Sequence, residues 1–122
     1  IEDIMHTGLK MPLVRETGIM NKVIIEITKK SFGCAGIVNK SNKLIGIITD
    51  GDLRRNMDPL LLNKKAKDVM SLNPKTILKD SFTNEVLIIL SKHKITSLFV
   101  VKNKKMCNPI GIVHLHDCLR SN

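Results

Sequence analysis

Two short polar stretches, Thr49-Asp50-Gly51-Asp52 and His114-Leu115-His116-Asp117, lie 65 residues apart in a chain of 122. Each follows a Gly-apolar-apolar run, Gly46-Ile47-Ile48 in one and Gly111-Ile112-Val113 in the other. Each therefore reads as a strand that ends in a polar turn and opens a helix. A helix start presents unpaired backbone N–H groups and suits phosphate. Thr49 can donate its hydroxyl to a phosphate oxygen. Asp52 can accept hydrogen bonds from a ribose diol, as an acidic residue does in dinucleotide sites. Gly51 would let the backbone come close to a ligand. The alternative is plain helix capping by Asp50 and Asp52. In the second stretch Asp117 keeps the acidic position, while His114 replaces the hydroxyl.

Other residues offer weaker chemistry. His114 and His116 are two apart, which places them on one face of an extended strand. With Asp117 they suggest zinc, but no third ligand is fixed by spacing, so no metal is expected. Thr96 and Ser97, at the start of a strand, can offer hydroxyls to a base or sugar. His93 sits near a helix end, where the dipole accounts for it. Lys102, Lys104 and Lys105 read as a solvated hairpin tip. Cys34, Cys107 and Cys118 have no neighbour that signals nucleophilic catalysis, and no catalytic constellation is expected in these residues.

The elements that position the turns come in two copies. Asp3-Ile4-Met5 recurs as Asp68-Val69-Met70, and the ten residues from Gly46 recur in pattern from Gly111, both at an offset of 65. Between them the offset is 63, matching Asn21 and Val23 with Asn84 and Val86. The insertions fall near Gly8–Met11 and in Lys102–Pro109. Each copy reads as β-α-β-β-α. In the first, Pro12–Arg15 is extended, Thr17 caps a helix whose apolar face carries Ile19, Val23 and Ile27, and strands Ala35–Asn39 and Lys43–Thr49 precede a helix over Asp50–Met57. In the second, Thr76–Lys79 is followed by a Ser81-capped helix to His93, strands Ser97–Val101 and Ile110–His114, and a helix from Leu115. The repeats are placed at 1–66 and 67–122. Each is marginal alone, so one shared core is expected, in an α/β (α+β) module with internal pseudo-symmetry.

Composition narrows the role. The formal net charge is +9, with 16 Lys and 4 Arg; 62–122 holds 11 basic and 4 acidic residues. Base readers favour Arg, and single-strand binders need aromatic platforms, yet the chain has 3 Phe and no Trp or Tyr, which argues against nucleic acid as the partner. No apolar run is long enough for a membrane helix, and no signal peptide opens the chain. Three Cys without a CxxC argue for a reducing, cytoplasmic setting. The start at Ile1 rather than Met reads as a cut within a longer protein.

The pattern Gly-apolar-x-[Thr/Ser]-x-x-Asp, closing a unit that occurs in tandem, resembles the cystathionine-β-synthase (CBS) domain pair over essentially the whole chain. The resemblance implies a nucleotide-type small molecule bound between the repeats, with Asp52 and Asp117 on ribose and Thr49 on phosphate. His114 departs from the pattern. It also brings His6 and Thr7 near the ligand. A narrower set, Ile4-Met5-His6-Thr7-Gly8, Thr49 to Arg55, Ile95-Thr96-Ser97 and His114 to Arg120, resembles the CBS pair of arabinose-5-phosphate isomerases. That family makes arabinose 5-phosphate from ribulose 5-phosphate, toward the lipopolysaccharide or capsule sugar Kdo, on a sugar-isomerase (SIS) domain upstream. The resemblance implies a regulatory module with no required cofactor, an effector such as CMP-Kdo, AMP, ADP or ATP, and a homodimer. The alternative is a module that assembles isomerase subunits without ligand.

Overall fold

The structure, a computed structural model, describes residues 1–121. It divides into two compact units, Pro12–Pro74 and Ile1–Met11 with Lys75–Asn122. These units do not coincide with the sequence repeats at 1–66 and 67–122. The reason is local. His6 bridges antiparallel to Ile112, so the first eleven residues pack with the second repeat. Their counterpart, 66–74, stays with the first repeat through Ser71. The leading segment of each sequence repeat thus serves the other repeat's sheet.

In the unit Pro12–Pro74, β1 (Leu13–Arg15) leads through α1 (Met20–Lys30) to β2 (Cys34–Val38), parallel to β1. β3 (Leu44–Thr49) returns antiparallel and runs straight into α2 (Asp50–Arg55). After α3 (Ala66–Val69), β4 (Ser71–Leu72) pairs with β3, giving the order β1-β2-β3-β4. The second unit follows the same plan. β5 (Thr76–Leu78) leads through α4 (Thr83–His93) to parallel β6 (Ser97–Val101); β7 (Pro109–His114) returns antiparallel and enters α5 (Leu115–Arg120). The register irregularities at Ile37/Val38 and Val100/Val101 occupy matching places.

The α/β (α+β) class and the doubled β-α-β-β-α order agree with the sequence pattern. Periodicity explains the cores. Met20, Val23 and Ile27 form the buried stripe of α1 and pack with Val14, Ile37 and Ile48; Val86 and Leu90 of α4 pack with Ile77, Leu98 and Val113. Each unit has its own hydrophobic cluster.

The expected helix caps are corrected. Thr17 does not cap α1: Ile19 is the N-cap, and the Met20 N–H donates to the Lys64 carbonyl at 2.8 Å. Ser81 does not cap α4: the Phe82 N–H donates to Glu85 Oε1 at 3.0 Å. In both cases another partner satisfies an end that a nearby hydroxyl was expected to serve. Both helices end on a left-handed residue that is not glycine, Ser31 and Lys94. Lys102, Lys104 and Lys105 are exposed, as expected of a hairpin tip, and Lys104 is in addition tied to the fold through Nζ, which donates to the Thr76 carbonyl and hydroxyl at 2.6 and 3.1 Å.

Candidate functional site

The turn from β3 into α2 is built around Asp52, whose residue is only 3% exposed. Thr49 is the N-cap, and the Thr-x-x-Asp spacing makes a reciprocal box. The Asp52 N–H donates to Thr49 Oγ1, while Thr49 N–H and Oγ1–H donate to Asp52 Oδ2 at 2.9 and 3.1 Å. Asp52 Oδ1 accepts from Ser71 Oγ at 2.6 Å and Arg55 Nη2 at 2.7 Å. Four donors therefore serve four lone-pair positions. Burial alone would raise the Asp52 pKa, but the Ser71, Thr49 and Arg55 hydrogen bonds together hold it below its ordinary value of 3.8.

The turn from β7 into α5 repeats this plan with different donors. Asp117 Oδ2 accepts from the His114 N–H at 2.9 Å and from His6 Nε2 at 3.0 Å; Oδ1 accepts from Arg120 Nη2 at 2.8 Å. His6 stands 65 positions before Ser71 and does its work at the other carboxylate. The same opposing balance, burial against the His114, His6 and Arg120 interactions, leaves the Asp117 carboxyl below its usual range. His114 Nδ1 accepts from the His116 N–H at 3.1 Å, so this nitrogen carries no proton. Burial, then the neighbouring His116, lowers the His114 pKa below its ordinary value, against the opposing pull of Asp117. The two imidazoles meet edge to face with centroids 4.8 Å apart. Next to Asp117 an open depression of about 320 Å³ is lined by Ile4, Asp117, Arg120 and Ser121.

The sequence candidates separate accordingly. His6, His114 and Asp117 form one bonded group. Ser97 is buried and lies opposite His114 in the β6–β7 register. Thr96 is exposed and contributes its carbonyl to the Leu115 N–H at 2.8 Å. Thr7 is exposed and precedes a short 3₁₀ turn, Gly8–Lys10, without a side-chain cap bond. Thr49 and Asp52 form the group in the other unit. An added Cβ at Gly51 would meet the Arg55 guanidinium tip at 3.2 Å, and His116 fills the equivalent position in the other turn.

Sequence reading missed Ser71, Arg55 and Arg120 as parts of these groups. The offset that pairs His6 with Ser71 was the available signal. Burial drives the Cys34 thiol up to about 12, with Asp50 adding to the effect, and it also raises Cys118. Neither suits nucleophilic work. Among the described residues no three His, Cys, Asp or Glu form a metal-holding group, and no helix is long and apolar enough to cross a membrane.

The model described as CBS domain matches residues 1–58 and 66–121. The chain belongs to the CBS domain family. The CBS pair is 39% identical over 122 residues to "Arabinose 5-phosphate isomerase KdsD" of Francisella tularensis, covering 98% of this chain and 36% of that protein. It thus spans little more than a third of that relative's length. Two solved structures share the fold. One is the CBS domain pair of MJ0100 in complex with 5′-methylthioadenosine and S-adenosyl-L-methionine (TM-score 0.82, 24% identity, 99% and 93% of the two chains covered). The other is CBSX2 in complex with AMP (TM-score 0.80, 17% identity, 98% and 92% covered).

Proposed function

We propose that this CBS pair senses a nucleotide or nucleotide-sugar and regulates a sugar-phosphate isomerase, the arabinose-5-phosphate isomerase of Kdo synthesis, whose SIS catalytic domain lies upstream in a cytoplasmic parent. Thr49 and Asp52 form the primary ligand-binding turn, with His114, Asp117, His6, Thr7, Thr96 and Ser97 serving the second. CMP-Kdo, AMP, ADP and ATP are the candidate effectors. The kinship to KdsD supports the parent enzyme, and the adenosine compounds held by two proteins of this fold support the ligand class.

The division of labour at Asp52 carries the proposal. Oδ2 is committed to Thr49 and holds the turn. Oδ1 is held by Ser71 and by the guanidinium of Arg55, whose side chain is 67% exposed. A ribose diol can replace these two donors one for one, so no buried acceptor is orphaned by the exchange. The released Arg55 remains in the same helix turn and is suited to phosphate. Regulation follows only if the ligand binds two states of the parent with different affinity.

Calorimetric titration with CMP-Kdo, CMP, AMP, ADP and ATP tests this. Binding by at least one is expected, weakened about tenfold by Arg55→Ala, the loss of one charge-assisted contact. No heat from any of them at millimolar concentration would remove the sensing role. Ligand-independent homodimerisation is the alternative, favoured by the exposed Ile25 on α1 and Ile88 on α4 at matching positions. Sedimentation velocity decides it: a stable dimer that ignores nucleotides supports assembly.

A further inference from the structure

The two leading segments do matching work but are held unequally. Ile1–His6 meets β7 through one backbone pair: the His6 N–H donates to the Ile112 carbonyl at 2.8 Å, and the Ile112 N–H to the His6 carbonyl at 2.9 Å. Met5 covers Gly111, and Ile1, Ile4 and Met5 pack, half-buried, against the cluster that holds Val86, Leu90 and Cys118. At the start, the Ile1 nitrogen donates to the Ser81 carbonyl at 3.2 Å, and Glu2 stands 3.8 Å from Lys79, a solvated pair that adds little. The counterpart at the offset of 65 is anchored harder. Ala66 and Val69 are buried where Ile1 and Ile4 are half-buried. The Ala66 and Lys67 N–H groups donate to the Gly18 and Glu16 carbonyls at 2.8 and 3.0 Å, and β4 pairs with β3 over two residues. Residues 7–10, which follow the first segment, are all exposed, and Gly8 stands at φ 61° in open space. A single backbone pair, half-buried anchors and an exposed hinge mark a segment that opens before the rest of its fold.

We propose that Ile1–His6 is a detachable strap that swings as one piece about Gly8 and withdraws His6 from Asp117 each time it opens. His6 carries both halves of the latch. Its backbone pairs with Ile112, and its Nε2 lies 3.0 Å from Asp117 Oδ2. Opening breaks both, while Asp117 keeps the His114 N–H and Arg120, so the turn itself stays folded. The coupling runs in both directions. A group that takes Oδ2 from His6 loosens the strap, and a pull at the start of the strap frees Oδ2. The Asp52 turn has no such release, because Ser71 sits in the harder-anchored segment. Under the regulatory reading above, the strap joins the Asp117 turn to the chain that precedes it; the strap itself does not depend on that reading.

Amide hydrogen exchange of the 122-residue chain, followed residue by residue by NMR, tests the strap. Successive amides of a strand face opposite neighbours, so Ile112 reports on the strap while Gly111 and Val113 report on the pairing with β6. The expected result is one common protection factor for His6 and Ile112, about tenfold or more below those of Gly111 and Val113. Met5→Ala removes an anchor and should speed exchange at Ile112 about tenfold. His6→Ala removes the bond to Asp117 and should speed it about fivefold. Both should leave Gly111 and Val113 as they were. If Met5→Ala fails to fold, the wild-type comparison and His6→Ala still decide. Exchange of Ile112 in step with Gly111 and Val113, in the wild type or in Met5→Ala, would make the segment an integral strand and overturn the proposal. Unchanged exchange at Ile112 in His6→Ala would overturn the link to Asp117. A strap that opens in a chain that binds no nucleotide supports this proposal and removes the sensing role, whereas nucleotide binding with no separate opening does the reverse.

Discussion

Replacing Asp52 with alanine tests whether this carboxylate organises the turn or merely decorates it. Asp52→Ala removes an acceptor that serves Ser71, Arg55 and both donors of Thr49. Ser71 and Arg55 are exposed, so water takes over and each loses about 0.5 kcal/mol. The Thr49 N–H loses its carboxylate partner in a half-buried turn, at a cost of about 1–2 kcal/mol that includes the broken capping box. The total is about 2–3 kcal/mol. For a chain of this size each kcal/mol moves Tm by about 3–5 °C, so Tm should fall by about 10 °C. Asp52→Asn should fall between, since one oxygen can still face Thr49 while its NH₂ confronts other donors. Far-UV circular dichroism is the assay, because the chain lacks the Trp and Tyr that fluorescence needs. The pH dependence has a definite sign. The Asp52 pKa is lowered in the fold, so its contribution is complete above the ordinary value of 3.8 and is lost as pH falls through the native value. The gap between wild type and Asp52→Ala should therefore close in acid. A fall of less than about 3 °C at neutral pH, the behaviour of a solvated carboxylate, would refute the structural role.

Four further outcomes follow. Ser71→Ala removes the leading hydrogen bond that lowers the Asp52 pKa, so the acid unfolding limb should move to higher pH in a circular dichroism titration. Gly111→Ala and Gly46→Ala should each cost about 1–3 kcal/mol in urea unfolding, because an added Cβ meets Met5 and Met70 respectively. Gly111→Ala should be the worse, since the His6 carbonyl at 3.1 Å is backbone, whereas Met70→Ala should relieve Gly46→Ala. Lys94→Gly should raise stability by about 0.5–1 kcal/mol, as φ there is 55° and glycine adopts the left-handed region freely. A thiol reagent at about pH 8 should spare Cys34, buried and raised to about 12, and modify the half-buried Cys107.

Much of the fold was legible because duplication prints the same constraint twice. Val23 and Val86 mark the same buried helix stripe, and Gly46 and Gly111 the same strand where methionine packs against the backbone. The caps were harder. Thr17 and Ser81 have favourable chemistry, but the helices start later, at ends served by the Lys64 carbonyl and the Glu85 side chain. At the turns, Thr49, Asp52 and Asp117 could be found from spacing within seven residues. Ser71 and His6 could not, because they reach their carboxylates from 19 and 111 residues away.

The sequence alone determined the repeat, the polarity of each helix face, the Thr-x-x-Asp capping chemistry and the family. These depend on interactions within a few residues or on repetition, and both survive in one dimension. Tertiary structure decided which carboxylate each leading segment serves. His6 belongs by sequence to the first repeat, yet its β-bridge with Ile112 places it at Asp117, in the second. That assignment depends on backbone pairing between distant strands. Only with that pairing in place do three scattered histidines become one cluster around a buried acid.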